Sequence, residues 1–313
     1  MKTFKINNND AGQRLDKFVQ KSTSALPTSL LYKYIRQKRI KVNSKRAEIS
    51  LKLCEGDIVD MYIPEEFFAP ADDSYKSLKP HLDIVYEDEN ILIVNKPCGM
   101  SCHPDEEQTT ATLIDFIKAY LFRSGAYVPD SEASFAPALC NRIDRNTCGI
   151  VICAKNSAAL RELNRLIKER RVVKKYLALI HGKPKSNHMT LTHYLKKNAS
   201  EKLVKVYTTP DSGGLIAITE LFLLRYDKEK DISLLELILH TGRTHQLRAQ
   251  LGFVGLPMVG DGKYGINRED ARAGYDHQAL CAYYLKLLPE QGDLLYYLGG
   301  REFTVVADDR FTM

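Results

Sequence analysis

Residues 138–154 read ALCNRIDRNTCGIVICA, in which two apolar runs enclose the polar loop Asn141-Arg142-Ile143-Asp144-Arg145-Asn146-Thr147-Cys148-Gly149. The runs Ala138 to Ile143 and Ile150 to Ala154 are of strand length and rich in aliphatic side chains. Upstream, Leu82 to Tyr86 and Ile91 to Val94 pattern as a hairpin closed by Glu87-Asp88-Glu89-Asn90. Helices are expected at Ala111 to Phe122 and Ser157 to Arg170. Further strands are expected at Val172 to Ile180, Leu215 to Tyr226, Ile232 to Leu239 and Leu280 to Leu287. Many strands with few helices between them predict an α+β protein built on a mixed, largely antiparallel sheet with flanking helices.

The N-terminal sixty residues pattern differently. Two short helices, with Thr28 or Ser29 capping Leu30 to Gln37, precede strands at Ile40 to Val42 and Asp57 to Ile63. Up to Ile63 there are 13 basic against 6 acidic side chains, a net of +7 in a chain whose total is +6. The remaining 250 residues therefore sum to about −1. Lys33, Arg36, Lys38, Arg39, Lys41, Lys45 and Arg46 crowd the second helix and the strand after it. Such a face suits phosphates, and it also fits a plain solvated surface. The expected organisation is a small α/β module over 1–63, a linker over 64–80 broken by Pro70, and a body over 81–313.

No apolar run reaches the roughly 18 residues of a spanning helix, and the polar N-terminus has no secretory apolar core. Seven cysteines at irregular spacing fit reduced thiols in a cytoplasm better than a disulfide framework. Cys98, Cys102, His103 and Cys140 do not have the paired spacing of a zinc site. The tail after Gly299 carries Glu302, Asp308 and Asp309 in no readable motif.

Three clusters could carry chemistry. Asp144 sits between Arg142 and Arg145, whose charge favours the ionised carboxylate, a nucleophile or base. As an Asx-turn residue it could equally organise the loop before Gly149. The segment His240-Thr241-Gly242-Arg243-Thr244-His245-Gln246-Leu247-Arg248 opens a helix with Thr244 as the candidate cap. Its two arginines could hold an anion or make only structural hydrogen bonds. Tyr176, in Lys174-Lys175-Tyr176-Leu177-Ala178, either packs in the core or stacks on an unpaired base.

Taken together, these clusters resemble the Rlu-type pseudouridine synthases. The loop follows their His-Arg-Leu-Asp-x-x-Thr-Ser/Gly-Gly motif, and Lys174, Tyr176 and Ala178 follow Lys-x-Tyr-x-Ala. Gly242, Arg243, His245, Gln246 and Arg248 follow Gly-Arg-x-His-Gln-x-Arg. Lys96, Pro97, Gly99, His103 and Pro104, and then Gly260, Asp261, Tyr264 and Gly265, complete five motifs in family order. Arg14-Leu15-Asp16-Lys17-Phe18 and Gly56-Asp57 resemble the alpha-L RNA-binding motif.

The resemblance implies a pseudouridine synthase fold and an enzyme that flips a uridine out of structured RNA and re-attaches its base through carbon. It implies Asp144 as the catalytic aspartate, Arg142 as the residue filling the vacated space, and Tyr176 as the aromatic on the target base. Arg243 is implied as the buried arginine paired with Asp144, and no metal or organic cofactor is implied. Large-subunit ribosomal RNA is the favoured partner, with transfer RNA the other candidate, no membrane, and a monomer as the default state. Asn141 stands where the family has His, and Cys148 where Ser or Gly is commoner. A catalytically inactive RNA-binding protein of the same fold is therefore the alternative.

Overall fold

The computed structural model describes residues 1–23, 25–68, 73–104, 111–198, 203–210, 213–265, 267–307 and 309–311. Pro70 of the expected linker and Asp308 of the tail lie outside them. The chain divides into two compact units, one of 1–81, 114–138 and 154–161 and the other of 82–113, 139–153 and 162–313.

In the first unit a four-stranded sheet has β1 (Lys2–Lys5), β2 (Ile40–Val42), β3 (Lys45–Arg46) and β4 (Ile58–Met61) in the order β1-β4-β2-β3. Helices α1 (Leu15–Ser22) and α2 (Thr28–Arg36) bury Leu15, Phe18 and Val19, and Leu31, Tyr34 and Ile35. The spacings i, i+3 and i+4 put each set on one helical face, and both faces join one core with Ile40, Val59 and Met61. Pro27, not Thr28 or Ser29, is the N-cap of α2, and no side chain caps it. Stretch 64–80 contains two 3-10 turns, and buried Tyr75 sets its ring edge-on to Phe122 at 6.2 Å.

The remaining strands form one sheet: β5 (Asp83–Glu87), β6 (Ile91–Lys96), β7 (Ala138–Leu139), β8 (Cys148–Ala154), β9 (Val172–His181), β10 (His188–Asn198), β11 (Leu203–Tyr207), β12 (Leu215–Asp227), β13 (Ile232–Leu239), β14 (Leu280–Leu287) and β15 (Glu302–Thr304). The path is β11-β10-β12-β13-β9-β14-β8-β6-β5, with β15 on β14 and β7 on β8. Seven strand pairs run antiparallel, while β8 and β14 run parallel at Cys148/Cys281 and Gly149/Ala282. The expected mixed, mainly antiparallel α+β class is therefore the observed one. Helices α3 (Leu113–Arg123), α4 (Ser157–Lys168), α5 (Gln246–Phe253) and α6 (Asn267–Arg272) complete the chain. No helix among the described residues is long and apolar enough to cross a membrane.

Two features place the loop that carries Asp144. The strand expected over Ala138 to Ile143 ends at Leu139, although Cys140 N still donates to Ile152 O at 2.8 Å. Asn141 then takes over from the ladder, accepting from Ile152 N at 2.8 Å and donating to Ile150 O at 3.2 Å. Its side chain mimics a strand neighbour, which frees the following backbone to leave the sheet. The loop returns through Gly149, whose φ is +116° and where a β-carbon would lie 2.3 Å from Ala282 O. Only glycine fits that conformation and that approach of β14.

Candidate active site

Asp144 stands on this loop, and its Oδ2 accepts from Arg248 Nη1 at 2.9 Å. Oδ1 has no protein partner among the described residues. Arg248 lies in the first turn of α5 and is only 7% exposed. Its Nε and Nη2 donate to Asp261 Oδ2 and Oδ1, both at 2.8 Å, in a two-pronged pair that fixes the guanidinium plane. Asp261 is fully buried and also accepts from Lys263 N at 2.9 Å and Tyr264 N at 3.2 Å. One guanidinium thus joins a sealed carboxylate to one that meets a cavity. Burial works against the charge on Arg248, yet the Asp261 hydrogen bonds and the charges of Asp261 and Asp144 raise its pKa overall. Burial likewise opposes ionisation of Asp261, but Arg248 and two backbone donors hold its carboxyl below the usual range.

Helix α5 is docked by two buried glutamines. Gln246 donates to Ile218 O and to Thr219 Oγ1, and accepts from Thr241 Oγ1 and Arg243 N. Gln250 donates to Ala217 O and accepts from Thr219 Oγ1 at 2.7 Å. These bonds satisfy polar backbone where β12 meets the helix, and so they fix the origin of the Arg248 side chain. The expected cap Thr244 is not used. His245 occupies the N-cap position in a left-handed conformation (φ 49°, ψ 25°), with no side-chain cap bond.

The cavity, about 90 Å³, is lined by Arg142, Ile143, Asp144, Thr147, Tyr176, Leu239, Gly242, Arg243, His245, Gln246, Leu247, Arg248 and Leu280. It shares Arg142, Asp144, His245 and Arg248 with a wider cleft of about 560 Å³ reaching Arg145, Lys263 and His277. All four expected site residues, Asp144, Arg142, Tyr176 and Arg243, are therefore gathered at one place. Tyr176 projects from β9 opposite Leu237 and is 6% exposed. Burial, reinforced by the charge of Asp144, raises its pKa and keeps the phenol protonated. Arg142 is exposed at the rim, with no partner among the described residues.

Arg243 does not make the pairing implied for it. It is half-buried, and its Nε donates to Ile216 O at 3.1 Å. The guanidinium on Asp144 is that of Arg248, five residues later. The reason is local: the left-handed turn at His245 starts the helix there, and Arg243 remains in the preceding loop along β12. The sequence motifs contain Arg248, Asp261 and His245 but do not link any of them to Asp144. The available signal was an arginine inside the apolar helix QLRAQLGF, since a buried guanidinium requires an acidic partner.

Lys96 is a further residue that carried no role. It is fully buried, and its Nζ donates to Pro97 O, Met100 O and Arg145 O at 2.8, 2.8 and 2.9 Å. Burial pulls its pKa down to about 8, while three carbonyls take all three ammonium protons. Lys96 so ties the turn after β6 to the residue next to Asp144. Cys98 and Cys102 give their thiols to Asn146 O and Ile143 O of the same loop. The seven cations of the expected basic face lie on α2, β2, β3 and the turn between them, all exposed except the half-buried Lys41.

Comparison with known proteins identifies the family. Residues 90–252 match the family described as RNA pseudouridylate synthase, and residues 13–59 match the S4 domain. An uncharacterized RNA pseudouridine synthase of Mycoplasma genitalium is 34% identical over 288 residues, 90% of this chain and 88% of that protein. Ribosomal large subunit pseudouridine synthase C of Vibrio parahaemolyticus is 33% identical over 276 residues, 86% of this chain and 82% of that one. Among solved structures, Human RNA Pseudouridylate Synthase Domain Containing 1 superimposes with a TM-score of 0.56 at 25% identity, over 73% of this chain and 86% of that chain. On the family match and the breadth of these similarities, the chain belongs to the RNA pseudouridylate synthases and carries an S4 domain at its N-terminus.

Proposed function

We propose that this pseudouridine synthase acts on uridines of large-subunit ribosomal RNA, with Asp144 as its catalytic carboxylate. The observation that carries the reading is the Asp261–Arg248–Asp144 chain, which leaves one oxygen of Asp144 without a partner among the described residues on a carboxylate that lines a cavity with Tyr176. The target nucleotide leaves its stack at a cost of roughly a few kcal/mol, least at loops. Phosphate contacts from residues 1–63 and from Arg142 offset that cost. The flipped uracil lies against Tyr176, Leu247 and Leu280. Asp144 then attacks C1′ or removes a ribose proton, and the bond from N1 to C1′ breaks. The uracil turns and carbon five bonds to C1′, releasing the Asp144 carboxylate from C1′ in the first route or taking back the ribose proton from it in the second. Carbon five then gives up its proton, and N1 gains one. Atoms and electrons balance within the substrate, so no cofactor enters.

In this reading residues 1–63 grip RNA, 64–80 join, and 81–313 perform the isomerisation, in the cytoplasm and as a monomer. Asn141 does not argue for an inactive protein. Both ends of its amide are engaged with β8 backbone, a role that needs no titratable proton. The test is to map pseudouridines in ribosomal and transfer RNA from cells carrying the parent gene, no gene, or Asp144→Asn. Large-subunit sites should vanish in the last two strains. Sites that persist with Asp144→Asn would reject the assignment, and sites lost only from transfer RNA would change the substrate.

A further inference from the structure

His245 has features that neither packing nor capping explains. It is a non-glycine residue held at φ 49°, a conformation that costs an L-residue stability and that asparagine or glycine would accept more readily. It sits at the N-cap of α5 yet makes no cap bond. Its ring instead lines the cavity, with Nε2 4.0 Å from Asp144 Oδ2, beyond direct hydrogen-bond reach.

The tautomer of this ring follows from its neighbours. Val204 N donates to the Tyr264 hydroxyl at 2.9 Å, and the same hydroxyl is 3.0 Å from His245 Nδ1. Burial raises the Tyr264 pKa, so the phenol keeps its proton. Among the described residues, that proton has one acceptor, Nδ1. A neutral imidazole that accepts this proton at Nδ1 carries its own proton on Nε2. Burial, and after it the charges of Arg248 and Lys263, hold His245 below its usual pKa against the pull of Asp144, so neutral is its resting form.

A donor at Nε2 and an acceptor at the carboxylate therefore face one gap. A carbonyl could satisfy the first but not the second. A hydroxyl satisfies both, accepting from Nε2 and donating to the carboxylate. Within an RNA chain the free hydroxyl of an internal nucleotide is the 2′ one, which is also what separates RNA from DNA. We propose that His245, held in the Nε2–H tautomer by Tyr264, binds the 2′-hydroxyl of the target uridine together with Asp144. This rests on Asp144 being the catalytic carboxylate, and it adds a residue that reads the sugar.

The test crosses two changes, a 2′-deoxyuridine at the target position of an otherwise RNA substrate and His245→Asn in the protein. Asn accepts the left-handed backbone but is too short to reach the gap, so its melting temperature should match or exceed the parent's. The deoxy substrate should lower parental kcat/KM by about 5- to 30-fold beyond its intrinsic reactivity, the effect of one hydrogen bond lost at a buried site. In His245→Asn that extra penalty should shrink by the share of the lost His245 bond, and the intrinsic effect of the missing hydroxyl cancels in the comparison. An equal deoxy penalty in both proteins overturns the proposal. So does nitrogen NMR of the free protein showing the proton on Nδ1. A parent that isomerises no RNA at all would reject the proposed function, a result distinct from either.

Discussion

The cations of the N-terminal unit and the guanidinium of Arg248 are the same chemistry in two dielectrics. Lys33, Arg36, Lys38, Lys45 and Arg46 stand in water, with Arg39 laid over the Tyr34 ring at 5.2 Å and Lys41 over the Tyr62 ring at 5.3 Å. Each keeps its hydration, attracts a distant phosphate weakly, and is screened by salt within about 10 Å at 0.1 M. Arg248 has given up its water and is satisfied by Asp261 on one side and Asp144 on the other. There the Coulomb attraction is several-fold stronger, and so is the penalty for leaving a partner alone. Charge on the first surface works by number, and charge in the pocket works by placement. The two regions should therefore fail differently when a cation is removed.

The largest effect is expected at Arg248. Arg248→Met leaves fully buried Asp261 without its counter-ion, which should cost about 3–5 kcal/mol of stability and abolish turnover. Arg248→Lys should recover only part of the loss, because a point charge cannot span both carboxylates. Urea unfolding at neutral pH measures this, and a Met variant within about 1 kcal/mol of the parent would show the pair to be incidental. The pH dependence carries the same signature. The folded-state pKa of Asp261 lies below its ordinary 3.8, so its contribution is complete above that value and is lost as pH falls through the depressed one. Asp261→Asn should flatten the acid limb of the stability profile.

Next comes Lys96→Met, which strands three carbonyls at the base of the Asp144 loop. The expected cost is about 2–4 kcal/mol, with kcat falling more than RNA affinity as Asp144 loses its support. In the folded protein Lys96 titrates near 8 against 10.5 in the open chain. The unfolded state therefore binds the extra proton between those values, and this residue makes stability rise with pH across that window. Melting curves at pH 8 and pH 10 should show the rise in the parent and lack it in the variant.

The contrast between the two regions also explains what could be read from residues alone. The strands Ile232–Leu239 and Leu280–Leu287 were legible because alternation and aliphatic content report burial directly. So was the basic face, since exposed charge needs no partner to be identified. Strand β10 was missed because His193, Thr190 and Thr192 break the apolar rhythm that Leu191 and Leu195 keep. His193 is buried by bonding Gln250, a contact 57 residues away in sequence. Arg243 and Arg248 could not be told apart for the same reason. The choice depends on a left-handed turn at His245 and on Asp261, 13 residues further on, and neither is visible in the local pattern.

Arg243→Ala sharpens the comparison from inside the pocket. Arg243 donates to one backbone carbonyl and contacts no carboxylate among the described residues, so folding should change by about 1 kcal/mol at most. The loss should instead be seen in KM for RNA, in contrast with Arg248. A stability loss as large as that of Arg248→Met would mean that the two arginines share one network.

The smallest effect is expected on the exposed face, where it is also the most diagnostic. Lys45 is exposed on β3, and Lys45→Ala should leave unfolding within about 0.5 kcal/mol of the parent. If Lys45 meets a phosphate, the variant binds RNA more weakly by a factor that does not depend on sequence. The slope of log affinity against log salt then drops by about 1, one released counter-ion per contact. Adding Arg46→Ala should lower the slope by about the same amount again, because solvated charges several ångströms apart act nearly independently. A pocket cation cannot behave this way, since its removal disturbs folding before it disturbs binding. Titrations at several salt concentrations with a cognate and a scrambled RNA decide it, and an unchanged slope would leave these cations as ordinary surface charge.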